Sequence, residues 1–187
     1  MKKILLATLA ASIATFSASA AHAESAHGPF YVQANPVGVG VLFYPGQSAN
    51  GISVGGGSLA AYKLDVEFGY HFSGRHDGFV ASLRQAFFLR DGSLGTTTAR
   101  LGWDIALPLG DGELELVIAP YAHAGVGYAF SGGDPFFHFG FGANGRMFFS
   151  KSLGLFAAVT PIEVDFFVGN GTTLPALGFD AGAGFAF

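Results

Sequence analysis

Four residues in the C-terminal third, His138, Glu163, Asp165 and Asp180, are of the types that hold cations or exchange protons. Each sits on the polar side of a segment that alternates apolar and polar residues. As neighbouring strands, those segments bring the four to one level, with no Lys or Arg on the strands that carry the acids. Carboxylates crowded in this way either attract a cation or keep one carboxyl protonated. The plainer expectation is that Arg90, Arg100 or Lys63 reaches across and neutralises them.

A second set is basic, acidic and aromatic: Glu67, Arg84, Arg100, Tyr121, His123 and Arg146. A turn centred between Arg75 and His76 would set Glu67 directly opposite Arg84. The same counting sets Arg100 opposite His123, and Tyr121 opposite Arg146. These six are read as an ion-pair network filling an interior. By that register His123 and His138 lie on the order of 16 Å apart, at ~3.3 Å per residue, so they are not expected to share a ligand. Lipid hydrolysis would need a serine, a histidine and an acid on the outer wall, where the alternation places neither histidine nor acid. Ser131 and His138 are the rim residues left to consider. No catalytic residue, metal or cofactor is assigned.

Strands must position these groups, because the period is two wherever it can be read. Tyr62, Leu64, Val66, Phe68, Tyr70 and Phe72 alternate with Lys63, Asp65, Glu67, Gly69 and His71. Leu177, Phe179, Ala181, Ala183, Phe185 and Phe187 alternate with Gly178, Asp180, Gly182, Gly184 and Ala186. Similar segments begin near Phe30, Phe79, Leu101, Glu113, Phe137 and Leu153, which makes eight strands. Pro36 and Pro161 each slip the phase, as a bulge or a rim does. Pro45 to Ser58 reads as the longest loop, and Gly110-Asp111-Gly112 as a hairpin turn.

The chain opens with Met1-Lys2-Lys3, an apolar run from Ile4 to Phe16 and small residues ending Ala21-His22-Ala23. That layout is a cleavable export signal over 1–23, leaving 24–187 as one domain. Twenty-one Phe and 29 Gly with only 12% charged residues give a mean hydropathy of +0.44, which is too much apolar surface for an ordinary soluble fold. Zero Cys excludes a disulfide scaffold, and a net charge of −4 offers no footprint for nucleic acid.

Eight strands could form a water-soluble barrel with a greasy interior, or a membrane barrel with the faces reversed. The polar face is rich in Gly and Ala, which leave room in a narrow lumen for Arg and Glu. Aromatics gather at the strand ends, with Phe43, Phe87 and Tyr128 at one end and Phe72, Phe79, Phe149 and Phe187 at the other. Two girdles belong to a lipid-embedded barrel. The expected fold is therefore an all-β, eight-stranded, antiparallel up-and-down transmembrane barrel with a packed polar lumen.

In its leader, strand number, alternation and terminal Phe187, the chain resembles the small eight-stranded outer-membrane barrels of the OmpA transmembrane-domain, OmpX and opacity type. The resemblance implies a bacterial outer-membrane location, with lipid and lipopolysaccharide as surroundings and assembly machinery engaging the C-terminal strand. It implies no chemistry. A monomer with a structural or surface-interaction role is expected; a lipid A-modifying or lipid-binding barrel and a narrow channel are the alternatives.

Overall fold

The computed structural model describes residues 28–44, 46–49, 52–73, 77–90, 93–110, 114–149, 154–169 and 171–187. The expected export signal and the Arg75–His76 turn centre lie outside the described residues. The strands are β1 (Phe30–Tyr44), β2 (Gln47–Ala49), β3 (Ile52–Val54), β4 (Gly57–His71), β5 (Gly78–Leu89), β6 (Leu94–Leu109), β7 (Leu114–Ala129), β8 (Phe136–Phe148), β9 (Leu155–Gly169) and β10 (Thr172–Ala186). Eight of them, all but β2 and β3, close into one antiparallel barrel in which β1 pairs with both β4 and β10. Closure at the terminal end is direct: the Phe30 amide donates to the Phe187 carbonyl at 3.1 Å and the Phe187 amide donates back at 2.8 Å.

The stretch read as one long loop is shorter and partly ordered. Residues 57 and 58 belong to β4, and β2 pairs with β3 in a small hairpin of its own. The phase slips at the prolines are bulges. The register of β1 shifts between Ala34 and Val37 against β10, and that of β9 shifts around Pro161 against both its neighbours. A proline has no N–H to give to the ladder, so the chain inserts one unpaired residue there and the side chains beyond it keep their faces.

Alternation then separates two surfaces. Outward residues are apolar, including Trp103 at 56% exposure, Phe141 at 55% and Val126 at 54%. Gln85 and Thr97, facing each other, are polar exceptions that satisfy one another: the Gln85 amide donates to the Tyr128 hydroxyl at 3.1 Å, and the Thr97 hydroxyl donates to the Gln85 carbonyl at 2.6 Å. Aromatic contacts gather at both barrel ends. Phe87 stacks on Phe130 at the loop end, while Phe72 packs on Phe79 and Phe185 on Phe187 at the terminal end. Phe43, Tyr128 and Phe149 are exposed there too.

The interior is packed as expected but layered, so the expected polar lumen is polar only in part. Tyr31, Val80, Val117, Phe148 and Phe156 form an apolar plug near the terminal end. Ala86, Phe88, Phe167 and Ala176, with Leu42 and Phe136 against them, form a second apolar layer near the loop end. Most of the charged groups lie between the two, while His71 and Arg146 stand level with the plug, opposite Val80 and Val117. Gly69 and Gly184 make the plug possible, because a Cβ on either would fall 2.1–2.2 Å from the ring of Tyr31 or Phe156.

Candidate functional site

The middle layer is built from inward positions of all eight barrel strands. Six carboxylates are buried there, Asp65, Glu67, Asp104, Glu163, Asp165 and Asp180, with four permanent cations, Lys63, Arg84, Arg100 and Arg146. Nearest the terminal end, Arg146 donates to Asp104 at 2.6 Å while His71 meets the same carboxylate oxygen at 2.7 Å. One step up, Arg100 pairs with Glu67, which also accepts from the Tyr31 hydroxyl, and the Arg100 guanidinium lies 3.5 Å over the Tyr121 ring. Above that, Arg84 bridges Asp65 at 2.7 Å, Asp180 at 3.1 Å and Glu163, and Lys63 reaches Asp180 at 2.9 Å and Glu163. Asn35 ties Asp65 to Asp180 through its amide.

The uppermost group has no Lys or Arg in ion-pair contact among the described residues. His123 Nε2 and His138 Nε2 converge on Asp165 Oδ1, at 3.0 and 2.8 Å. The two rings lie 5.0 Å apart, and all three side chains are buried. Three adjacent strands deliver them. Gly140 of β8 stands between its Cα partners, His123 on β7 and Asp165 on β9. A Cβ at Gly140 would sit 2.8 Å from His123 Nε2, so the bare backbone is what lets this imidazole cross to the acid. His138 is held from the other side by Phe167, its Cα partner on β9, stacked at 4.6 Å and 8°.

Several sequence expectations change at this point. Glu67 does stand opposite Arg84, yet their head groups part: Glu67 takes Arg100, and Arg84 takes the acids of three other partners. Directly opposed Cβ atoms are only about 4.5–5.5 Å apart, so a long side chain overshoots its neighbour and meets the far wall. Arg100 stands opposite His123, but the two also turn to different partners.

Tyr121 stands opposite Gly142, and Arg146 opposite Val117, so the proposed Tyr121–Arg146 pairing is incorrect. The β7–β8 connection is asymmetric. β7 continues to Ala129 along β6, with the Phe130 amide donating to the Ser93 carbonyl, whereas its ladder with β8 ends at the pair Gly127–Phe136. The turn motif therefore does not mark the midpoint. The same register error separated His123 from His138, which are in fact neighbours.

Of the acidic group, Glu163 and Asp180 share Lys63 and Arg84, while His138 and Asp165 belong to the uppermost cluster. Lys63 is the expected cation that reaches across; Arg100 goes to Glu67, and Arg90, exposed, donates to the Ala60 carbonyl at 2.6 Å. Ser131 is exposed on its turn while His138 is buried in the lumen, so they do not form a rim pair. Asp65, Asp104, His71 and Asn35 also belong to the network, each at an inward place in its alternation.

The described residues share their architecture with solved proteins. Neisserial surface protein A superposes with a TM-score of 0.53 at 13% identity, over 84% of this chain and 97% of that one. The N-terminal barrel domain of Pseudomonas aeruginosa OprF gives a TM-score of 0.46 at 11% identity, over 85% and 99%. The fold is that of the small eight-stranded outer-membrane barrels. No protein-family model and no curated protein sequence matches the chain.

Proposed function

We propose that this chain is an integral outer-membrane barrel with a closed lumen, serving a structural or surface-interaction role as a monomer. The observation that carries the reading is the inversion of polarity: Trp103, Leu101 and Phe141 are exposed on the outer wall while Lys63, Asp65, Glu163 and Asp180 are each no more than 1% exposed within. In water that arrangement would expose an apolar belt; in a bilayer the belt meets acyl chains, and the strand backbones pair around the closed ring except at the bulges. Two apolar layers and cross-bridged ions fill the bore, which disfavours a channel. The loop end with the β2–β3 hairpin would face outward, lipopolysaccharide would surround it, and the strand ending at Phe187 would engage the assembly machinery. Spin labels at Leu64 and Phe139 test the reading: a hydrocarbon environment supports it, and water accessibility at both would refute it.

One observation favours lipid binding as a second reading. A cavity of about 200 Å³ opens at the loop end between Leu42, Leu94, Phe136, Phe167 and Leu174. It is smaller than most ligand sites and would suit the end of one acyl chain. Quenching of a label at Leu174 by a bromolipid, but not by a bromolipid headgroup analogue, would support it.

A further inference from the structure

We propose that His123, His138 and Asp165 form a site for one divalent transition-metal ion of the zinc class, inside the barrel beneath the loop-end apolar layer. Three observations converge on it. The first is charge. Arg146 answers Asp104 and Arg100 answers Glu67, whereas among the described residues Asp65, Glu163, Asp165 and Asp180 have Lys63 and Arg84 as their nearest permanent cations. Four carboxylates against two cations leave two negative charges, all of them in the upper part of the network, where a divalent ion would balance them. Buried charge must be compensated within reach, and among the described residues the direct ion-pair contacts of Asp165 are to imidazoles, with Lys63 acting on it only from beyond contact distance.

The second is geometry. One donor atom from each of the three residues lies within 4.8 Å of the other two, and the Nε2 to Oδ1 separations are 3.0 and 2.8 Å. Bonds of ~2.0–2.1 Å to imidazole nitrogen and carboxylate oxygen set tetrahedral ligand edges near 3.3 Å, a few tenths of an ångström wider. Two imidazoles and one carboxylate, without sulfur, form a donor set that suits Zn²⁺, Co²⁺ or Ni²⁺ and leaves a fourth position open.

The third is the far side of each ring. If both Nε2 atoms donate to Asp165, each Nδ1 is an acceptor, and neither Nδ1 has a hydrogen-bond partner among the described residues. With Nε2 on a metal, each Nδ1 becomes an N–H donor. That of His123 then points toward Glu163 Oε1, 3.4 Å away, the carboxylate–imidazole support that metal-bound histidines generally have.

The test is titration of Co²⁺ into the untagged chain folded in detergent micelles, read by visible absorption, with Zn²⁺ displacement and NMR of ¹⁵N-labelled histidines. One equivalent of Co²⁺ with an intense low-coordinate spectrum, displaced by Zn²⁺, is expected. The imidazoles of His123 and His138 should shift and that of His71 should not. H138Q and D165N should each weaken binding at least tenfold, and H71Q should leave it unchanged. No uptake by a folded barrel, equal uptake by H138Q and D165N, or a shift confined to His71 would overturn the proposal. The NMR result on the unsubstituted chain decides the matter even if a variant does not fold. The spin-label test of membrane insertion is independent, so failure of one reading leaves the other standing.

Discussion

The two ends of the ionic layer are built from similar residues and solve the burial of a carboxylate differently. At Asp104 the carboxylate meets a guanidinium at 2.6 Å and an imidazole at 2.7 Å, so a permanent charge is matched by a permanent charge. At Asp165 two imidazoles meet the acid and the nearest permanent cations are committed to Glu163 and Asp180. The terminal-end cluster can be complete on its own. The loop-end cluster leaves part of its charge to be met by protons or by an ion. What distinguishes them is which arginine the barrel's twist delivers to which level.

Substitutions should separate these two solutions, starting with the residue that holds most acids together. Arg84→Met strands Asp65, Glu163 and Asp180 with Lys63 alone, and should cost about 5 kcal/mol in urea unfolding from lipid vesicles. Arg146→Met leaves Asp104 with His71 still in contact, so the cost should be smaller, about 3 kcal/mol by the same measurement. Equal losses at both positions would mean that the upper network is not the shared hub described here.

Gly140→Ala pushes a methyl against the Val164 carbonyl and the His123 ring, and about 2 kcal/mol of destabilisation is expected. Gly145→Ala on the same strand meets nothing nearer than 3.6 Å and should be neutral or slightly stabilising. A small effect is also expected for Asp165→Asn in metal-free protein. Its lost hydrogen bonds, each worth about 1 kcal/mol, are offset by relief from the neighbouring carboxylates, so stability should move by less than about 1 kcal/mol. In metal-saturated protein an ion at a hundred times its dissociation constant adds about 2.7 kcal/mol, and the same variant, binding at least tenfold more weakly, should lose at least about half of that.

The number of barrel strands, the face of most of their residues and the two bulges were legible in the sequence because side-chain direction in a strand is local, whereas the β2–β3 hairpin was read as loop. Once the period of two is established, Lys63, Asp65 and Glu67 must point one way and Leu64 and Val66 the other. Even the slips at Pro36 and Pro161 left a mark in the order of residues. Cross-strand partners were legible only where the turn was symmetric, as between β4 and β5, where Glu67 does face Arg84. They were misread at β7–β8, because β7 keeps pairing with β6 after its ladder with β8 has ended, and no residue in the turn announces that.

The chain's order of residues thus determined by itself a barrel with a greasy wall and a charged bore, since alternation needs only neighbouring residues to be read. Tertiary structure decided which charges meet, and that His123, His138 and Asp165 share one oxygen. Long side chains inside a closed ring find partners by level and by reach across the bore. Both depend on the register of every strand at once and on where small residues such as Gly140 leave room.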